Sequence, residues 1–303
     1  MIVQKGDTME PLTTENTAFL TTMASGGRGY EAKYAFSDRV SKSEYHCHDF
    51  YEFYIHLRGG QYFGLDERLY VLQPNQLYII PPFSMHGRSF VNEMTGYERA
   101  YLNISTDLMK RLGFDLIDLD QMIRSYTSRG QNIFQLSAAD TEKCIQMIRS
   151  LEESPREDSP LGSFASCCEL VNFLNLVFQT MQRSQAVSAN VISNSIIQNV
   201  LTYINNHYTQ PLKMNEIAKM FGISVSYLSH QFVKFTNRSV YDYILYRRVV
   251  LAKQMVQTDL PLNTIAYQCG FNDYSNFLRM FYRLEGMSPS QYRKQLQPLQ
   301  RIR

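Results

Sequence analysis

One stretch near the carboxyl end occurs twice, and it decides the fold of that half of the chain. The first copy reads Met214-Asn215-Glu216-Ile217-Ala218 followed by Gly222 and Phe232, and the second reads Leu262-Asn263-Thr264-Ile265-Ala266 followed by Gly270 and Phe281. In each copy an Ile-Ala pair fits a short helix, a glycine permits a tight turn with positive φ, and a second helix follows. This order predicts two helix-turn-helix units, at about 213–236 and about 261–285.

The spacing of the two copies shows where they differ by one residue. Ile217 and Ile265 are 48 residues apart, whereas Phe232 and Phe281 are 49 apart. The extra residue therefore lies at the start of the second helix of the unit. Asn237 stands at the position of Gly286, and these two residue types most readily adopt the left-handed conformation that ends a helix.

Length and composition favour two domains. A chain of 303 residues, 44% of them hydrophobic, is too long for one ordinary core and can fill two. It has no run of eighteen apolar residues and no signal-peptide core at its start, so we expect a soluble cytoplasmic protein without a membrane partner. Its five cysteines are odd in number and lack a Cys-x-x-Cys spacing, which argues against a disulfide framework or a zinc finger. We interpret them as packing residues.

The net charge of +2 conceals an asymmetry between the two halves. Residues 193–303 contain 13 Lys or Arg and 5 Asp or Glu, which gives +8 and leaves −6 for residues 1–192. The basic half is the half with the repeated unit. A surplus of cations there suits the binding of a phosphate backbone, whereas a duplex would repel the acidic half.

The first hundred residues read as short strands. Aromatic and β-branched runs at 51–57, 61–65, 69–72 and 77–80 are separated by Gly, Asp and Pro turns, which predicts a small barrel or sandwich. Helical spacing then covers 137–150 and 161–183.

The second of these helices carries an apolar stripe with alternating spacings of three and four. Its members are Phe164, Cys167, Val171, Leu174, Phe178 and Met181, widened by Leu170, Phe173, Leu176 and Val177. Such a face can pack on the barrel, form a dimer seam, or do both. We expect it to contribute to a homodimer, because DNA half-sites related by a two-fold axis reward one.

Both copies of the repeat, the segment between them and the segment after them contribute to one signature in the carboxyl-terminal hundred residues. Its members are Ile217-Ala218, Gly222, Ser224, Tyr227-Leu228, Phe232, Tyr243, Arg247, Ala252, Ile265-Ala266, Gly270-Phe271, Phe277, Phe281, Gly286, Pro289 and Tyr292-Arg293. At these spacings the carboxyl-terminal hundred residues resemble the AraC family of bacterial transcription regulators. The resemblance implies seven helices, with two helix-turn-helix units joined by a central helix at roughly 240–257. It also implies that RNA polymerase is a partner and that transcription is activated.

Helix geometry and the resemblance select the same candidate base-reading residues. If Tyr227, Leu228 and Phe232 are buried in the first recognition helix, and Phe277 and Phe281 in the second, the opposite faces remain for double-stranded DNA. These faces carry Ser226, Ser229, His230, Tyr274, Ser275, Leu278 and Arg279. Arg279 is the foremost candidate, because a guanidinium can bond two guanine acceptors, although a phosphate contact is the alternative.

Other polar residues suit the DNA backbone. The candidate phosphate partners are Lys213, Ser224, Lys234, Arg238, Asn272 and Arg283. Ser224, and either Asn272 or Asp273, are also expected to cap the recognition helices. Arg247 is interpreted instead as a structural arginine of the central helix that bonds backbone carbonyls.

The amino-terminal half resembles the cupin fold, a double-stranded β-helix or jelly roll. His46, His48 and Glu52 with Gly59 match the first cupin motif, and His86 matches the histidine of the second. Strand alternation places these side chains together inside the barrel, where three imidazoles and a carboxylate suffice for a divalent metal. In AraC-type sensors the same positions often line a pocket for a sugar or another small polar molecule instead. No cofactor is required by this interpretation.

Two arginines extend the candidate effector site. Arg58 corresponds to a family position that lines the effector pocket, and Arg99 is placed with it, since arginine forks suit vicinal hydroxyls or a carboxylate. Tyr54 and Tyr101 could stack on a sugar, or pack in the core. The predicted fold class is α+β with two domains. Its parts are an effector-binding cupin domain at 1–135, a helical dimerisation region at 136–184, a linker at 185–192 and a DNA-binding domain at 193–303.

Three functions remain open on the sequence. The first is a regulator, not an enzyme, that responds to a small ligand, with a carbohydrate expected. The second is a metal-dependent cupin enzyme with an accessory DNA-binding domain. The third is a constitutive DNA-binding protein whose cupin domain only dimerises.

Overall fold

The computed structural model describes residues 28–40, 44–66, 68–89, 94–154, 160–183, 196–236 and 238–296. The predicted linker at 185–192 and Asn237 lie outside these residues. Strands dominate the first half and helices the second, which confirms the α+β prediction. The strands are β1 (Tyr30–Val40), β2 (Glu44–His46), β3 (Phe50–Arg58), β4 (Tyr62–Leu65), β5 (Arg68–Val71), β6 (Gln76–Ile80), β7 (His86–Ser89), β8 (Met94–Ser105) and β9 (Ile133–Gln135), with α1 (Thr106–Leu112) and α2 (Leu119–Thr127) between β8 and β9.

The strands form two antiparallel sheets packed face to face. One has the order β1-β8-β3-β6-β9 and the other β2-β7-β4-β5. Aromatic side chains of both sheets, including Tyr54, Phe63 and Tyr78, fill the space between them. The turn before β6, where the cupin pattern usually has Gly-Asp, is made by Asn75 at φ +62°. Asparagine is among the few residues that accept this conformation readily.

Strand β3 is buried on both faces because each face meets a different layer. Phe53 and Ile55 point to a core shared with α3 (Ala138–Glu153) and α4 (Pro160–Arg183), whereas Tyr54 points between the sheets. The rings of Phe53 and Phe173 lie 5.6 Å apart. The face of α4 against the sheet consists of Leu170, Phe173, Leu174, Val177 and Met181.

The amino-terminal part of α4 is different, because Leu161 and Phe164 are 78% and 67% exposed. By length and composition alone α4 could also cross a membrane. The predicted apolar stripe therefore divides into a buried part, which packs on the sheet, and an exposed part.

Seven helices follow in the described part of the second half, as the resemblance implied. They are α5 (Ile196–His207), α6 (Met214–Met220), α7 (Val225–Thr236), α8 (Val240–Val256), α9 (Leu262–Gln268), α10 (Tyr274–Glu285) and α11 (Pro289–Leu296). Gly222 (φ +66°) and Gly270 (φ +90°) form the turns within the two helix-turn-helix units. At Gly270 a Cβ atom would also lie 2.5 Å from the carbonyl oxygen of Thr209, so only glycine fits there.

The two halves meet in a common core. Cys47 and Met85, from the β-rich half, are fully buried in the same hydrophobic cluster as residues of α5 to α11. The partner of Cys47 is Tyr246 of α8, whose hydroxyl donates a hydrogen bond to the Cys47 sulfur. The free thiols Cys144 and Cys269 are also buried, whereas Cys167 is half-buried and Cys168 exposed.

Candidate functional sites

The second helix of each repeat buries one face and exposes the other. In α7 the buried face contains Leu228 and Phe232, and in α10 it contains Phe277 and Phe281. The prediction that Tyr227 belongs to the buried face was wrong, because its side chain is 46% exposed. Leu228 and Phe232 are four residues apart and already define the stripe, and the preceding residue points about 100° away from it.

The predicted base-reading residues lie on the outer faces to different degrees. Four of them are exposed: Ser226, His230, Ser275 and Arg279. Three are half-buried: Ser229, Tyr274 and Leu278. Tyr274 and Leu278 pack against the core of the domain, which makes them less available than the others.

The two outer faces are equivalent by sequence offset. Adding 49 to a residue number in α7 gives its counterpart in α10. The exposed counterparts are Ser226 and Ser275, His230 and Arg279, Val233 and Tyr282, and Lys234 and Arg283. Val233 and Tyr282 were not among the predicted residues. The repeat therefore presents the same face twice.

The recognition helices begin at side-chain caps. The Ser224 hydroxyl accepts a hydrogen bond from the backbone N–H of Tyr227 at 3.1 Å. Asp273 accepts from the N–H groups of Ser275 and Asn276, which decides between the two predicted caps of α10. Asn272 is exposed beside it.

The predicted phosphate partners lie around these faces. Lys234 is exposed, and Lys213 is exposed in an ion pair with Glu216 at 2.9 Å. Arg283 lies 3.4 Å from Asp242, and Arg238 is half-buried. Such surface pairs are weak and can be exchanged for phosphate oxygens.

Arg247 is structural, but its partners differ from those predicted. Its guanidinium lies 3.6 Å from the Asp66 carboxylate and over the Tyr208 ring, instead of on backbone carbonyls. Its neighbour Arg248 makes the predicted kind of contact, donating to the carbonyl oxygens of Tyr208 and Gln210. One residue along a helix rotates the side chain by about 100°, so Arg247 points to the β-rich half and Arg248 to α5 and the segment after it.

A pocket of about 200 Å³ lies between the two sheets. Among the predicted effector residues it is lined by His46, His48, Glu52, His86 and Arg99. Its other lining residues are Glu31, Phe50, Tyr54, Phe63, Gly87, Arg88, Tyr97, Tyr101 and Asn103. A larger groove of about 540 Å³ runs along α3 and α4 on the surface, but within the described residues the histidine cluster belongs to the smaller pocket.

Arg58 was wrongly predicted to line this pocket. Its side chain is 66% exposed and pairs with Glu98, beside the ring of Phe36. Residue parity along β3 would direct Arg58 inward with Glu52 and Tyr54. A β-bulge between His56 and Arg58 breaks that parity.

Several pocket residues that sequence reasoning missed lie on β8 and β7. On β8, Tyr97 and Asn103 lie at every second position together with Arg99 and Tyr101. All four side chains therefore share one face of the strand, which forms a wall of the pocket. Arg88 follows His86 by two residues on β7 for the same reason. Period-two spacing from Arg99 and from His86 was the signal that could have identified them.

At one end of the pocket, three histidines and a carboxylate converge. The ligand atoms of His46, His48, Glu52 and His86 all lie within 4.8 Å of one another. The Nε2 atoms of His48 and His86 are 2.9 and 3.1 Å from one oxygen of Glu52. The Nδ1 atoms of the same rings lie 2.9 Å from the carbonyl oxygens of Phe50 and Ser84.

Burial sets the charges in this cluster. It lowers the pKa of His48 and, together with the nearby His86, lowers the pKa of His46 well below its ordinary value. Burial acts to raise the pKa of Glu52, but the contacts with His48 and His86 outweigh it and lower that pKa. At neutral pH the cluster therefore combines a carboxylate with neutral imidazoles at positions 46 and 48.

Family models cover both halves of the chain. A model described as an AraC-like ligand binding domain matches residues 29–155, and one described as a helix-turn-helix domain matches residues 217–295. The uncharacterized HTH-type transcriptional regulator YdiP of Escherichia coli (strain K12) is 25% identical over 91% of this chain and 89% of its own length. The regulatory protein SoxS of the same organism is 36% identical over 33% of this chain and 95% of its own length.

Among solved structures, ToxT from Vibrio cholerae is similar over 88% of this chain and 98% of its own, with 13% identity and a TM-score of 0.33. The DNA-binding domain of AdpA, solved in complex with a target DNA, is 20% identical with a TM-score of 0.35, over 36% of this chain and all of its own.

Proposed function

Because the chain belongs to the AraC family of transcription regulators, we propose that α7 and α10 bind specific DNA sites in response to a small polar ligand held in the β-sandwich pocket. The observation that carries this proposal is the repeated outer face. Ser226, His230 and Lys234 on α7 have exposed counterparts 49 residues later on α10. Two equal faces on one domain suit two successive major grooves, about 34 Å apart along DNA.

The residues of these faces divide by chemistry. Arg279 offers two parallel donors to a guanine, whereas the exposed Lys234 and Arg283 at the far ends of the helices suit phosphates. The start of α7, with its neutral Ser224 cap, suits an anion, whereas at the start of α10 the Asp273 carboxylate already accepts from the N–H groups of Ser275 and Asn276. Bases are thus contacted from the first half of each recognition helix, and phosphates from its far end.

The pocket is suited to a ligand rich in hydroxyl groups. Arg99 and Arg88 lie over the ring of Tyr97 from two strands, and Asn103 and Glu31 supply acceptors on neighbouring strands. A volume of about 200 Å³ is below the usual range for drug-sized ligands, which favours a small molecule. We therefore propose a carbohydrate or a comparably small polar effector.

A divalent metal ion fits the histidine end of the pocket. Carbonyl oxygens only accept hydrogen bonds, so the Nδ1 atoms of His48 and His86 must carry the ring protons. In a neutral ring this leaves the Nε2 lone pair directed at Glu52, which is also an acceptor. Two acceptors at 2.9 to 3.1 Å repel each other unless a proton or a metal ion lies between them, and histidines held at Nδ1 by carbonyls are typical metal ligands.

The remaining parts of the proposal concern assembly and output. The exposed Leu161 and Phe164 on α4 suit contact with a second copy, and a dimer would place two DNA-binding domains on two half-sites. The family supports activation of transcription through RNA polymerase, in the cytoplasm. The charge of +8 on residues 193–303 agrees with a DNA partner.

Fluorescence anisotropy with promoter fragments from the neighbourhood of the gene, and with a random duplex, tests the DNA-binding part. We expect tighter binding to at least one promoter fragment, with affinity falling as salt increases. Melting of the full chain with a panel of sugars, and separately with Ni²⁺ or Zn²⁺, tests the sensor, because a ligand bound only by the native state raises the melting temperature. Equal affinity for all duplexes, or no shift with any ligand, would refute the corresponding half of the proposal.

A further inference from the structure

The residues that line the histidine cluster alternate with residues that contact the DNA-binding domain. His46 and His48 point into the pocket, and Cys47 between them points the other way and is completely buried in the core of the helical half. The same alternation recurs at β7, where His86 faces the pocket and Met85 joins that core. Successive residues of an extended chain point to opposite sides, so one segment serves both sites.

Backbone hydrogen bonds connect these segments to one another. The N–H of Phe83 donates to the carbonyl of His48 at 2.7 Å, and Phe83 itself packs against the helical core. The N–H of Met85 donates to the Asp66 carboxylate at 2.9 Å. The wall of the pocket and the surface facing the helices are therefore one hydrogen-bonded unit.

Helix α8 is the element that receives this surface. The Tyr246 hydroxyl bonds to Cys47, and the next residue, Arg247, lies 3.6 Å from Asp66. Cys47 and Asp66 thus contact consecutive residues of α8, the helix that joins the two helix-turn-helix units.

From α8 the contact continues to the second recognition helix. Lys253 of α8 is buried and pairs with Glu285 at the end of α10, with 2.9 Å between the charged atoms. The outer faces of α7 and α10 remain exposed while α8 is docked, as the exposure of His230 and Arg279 shows. Docking therefore fixes the helices without covering the DNA-facing side chains.

We propose that Cys47 and Tyr246 couple the pocket to the DNA-binding domain, which rests on the proposed function of the pocket as the sensor site. A ligand that draws His46, His48 and His86 together fixes Cys47 and Met85 on the opposite side of the same segments. The docked position of α8 is thereby stabilised, and so is the arrangement of α7 and α10 that binds DNA. Linkage requires the reverse effect too, so that DNA binding stabilises the docked position.

The test measures DNA affinity of the full chain with and without Ni²⁺ as the probe of the pocket. We expect Ni²⁺ to tighten binding of a specific duplex about fivefold or more in the wild type, and Tyr246→Phe to reduce this to less than about twofold. Tyr243→Phe is the matched control, because its equally buried hydroxyl donates a hydrogen bond to Asn205 of α5. That variant should keep the full response.

Equilibrium dialysis with Ni²⁺ separates the two proposals. If Ni²⁺ binds and Tyr246→Phe responds as the wild type does, the coupling is refuted while the metal site stands. If Ni²⁺ does not bind, the metal site is refuted, and a second experiment tests the coupling. In that experiment the rate of alkylation of Cys47 is followed by peptide mass spectrometry, with the exposed Cys168 as the reference. Specific DNA should slow the alkylation of Cys47 in the wild type and do so less in Tyr246→Phe. Equal rates with and without DNA would overturn the coupling.

Discussion

Arg279 and His230 hold equivalent positions on the two recognition helices, but only Arg279 carries the fork of donors of a guanidinium. Its guanidinium is exposed and held by the Asn276 side chain at 3.0 Å. We expect Arg279→Ala to weaken binding of a specific duplex by about 1 to 3 kcal/mol if the side chain reads a base. Anisotropy titrations with the specific and a random duplex measure this loss.

The control for this prediction is Arg283→Ala, one turn further along the same helix. A phosphate contact carries no sequence information, so this variant should weaken both duplexes alike and reduce the salt dependence. An equal loss on both duplexes for Arg279→Ala would assign that residue to the phosphate backbone as well.

His56 gives the β-rich half a defined response to pH. It is 1% exposed, and burial lowers its pKa to about 4. Between pH 6.5 and 4, His56 therefore binds a proton in the unfolded chain but not in the folded chain. Its contribution to the free energy of unfolding is fully present above this window and is lost as the pH falls through it. At pH 5 the loss from this residue is about 2 kcal/mol relative to pH 7.

Urea denaturation of the full chain at pH 7 and pH 5 checks this value. His56→Leu removes the titrating group and should reduce the difference in unfolding free energy between the two pH values. His46 and His48, whose pKa values are also lowered, act in the same direction and should leave a residual dependence. An unchanged pH dependence in the variant would contradict the assignment to His56.

Single residues also show what the sequence could and could not predict. His46, His48, Glu52 and His86 were predicted correctly as a group, because strand alternation and motif spacing both place them on one face. Arg58 was placed in the pocket by the same alternation, and this was wrong. A β-bulge between His56 and Arg58 changes the side to which Arg58 points, and alternation of residue types does not reveal a bulge.

At the scale of the elements, the Lys253–Glu285 pair connects α8 with α10. Lys253 is 1% exposed, and the second oxygen of Glu285, Oε1, is buried without a hydrogen-bond partner among the described residues. Lys253→Met leaves a buried carboxylate without its partner and should cost about 3 to 5 kcal/mol in unfolding free energy. The double variant Lys253→Met/Glu285→Leu should lose much less, because no charge remains buried.

The matched surface pair is Lys213 and Glu216, which lies within one turn of α6 and is mostly exposed. Lys213→Met should change the unfolding free energy by less than about 1 kcal/mol. Urea denaturation of the four proteins measures all these values. If Lys253→Met is as stable as Lys213→Met, the buried pair does not hold α10 in place.

The elements were predictable where one periodicity dominates. The repeated unit with its glycines specified α6, α7, α9 and α10, and aromatic hairpins specified β3 to β6. Strands β1 and β8 were not predicted, although they are long, because charged side chains occur along both. On β8 one of these charges, Arg99, lines the pocket, whereas Glu98 pairs with Arg58 outside it.

At the scale of the whole molecule, the contact between the halves was beyond sequence reasoning. Cys47 and Tyr246 are 199 residues apart, and each looks like an ordinary core residue of its own half. Arg247 was correctly interpreted as structural, but only the folded arrangement brings Asp66 to it. Contacts of this kind follow from the docking of two finished surfaces, which no local pattern encodes.

Assembly is the last property of the whole molecule that the structure makes testable. Leu161 and Phe164 stand exposed on one end of α4, whose remaining apolar face is already buried on the sheet. An exposed leucine and phenylalanine on a regular helix favour contact with a second copy. We expect Leu161→Glu/Phe164→Glu to convert a dimer to a monomer in sedimentation, to weaken binding to a duplex with two half-sites, and to leave single half-site affinity unchanged. Phe114→Asp, at an equally exposed position in another part of the surface, is the control, and dissociation by that variant too would show that α4 is not the dimer interface.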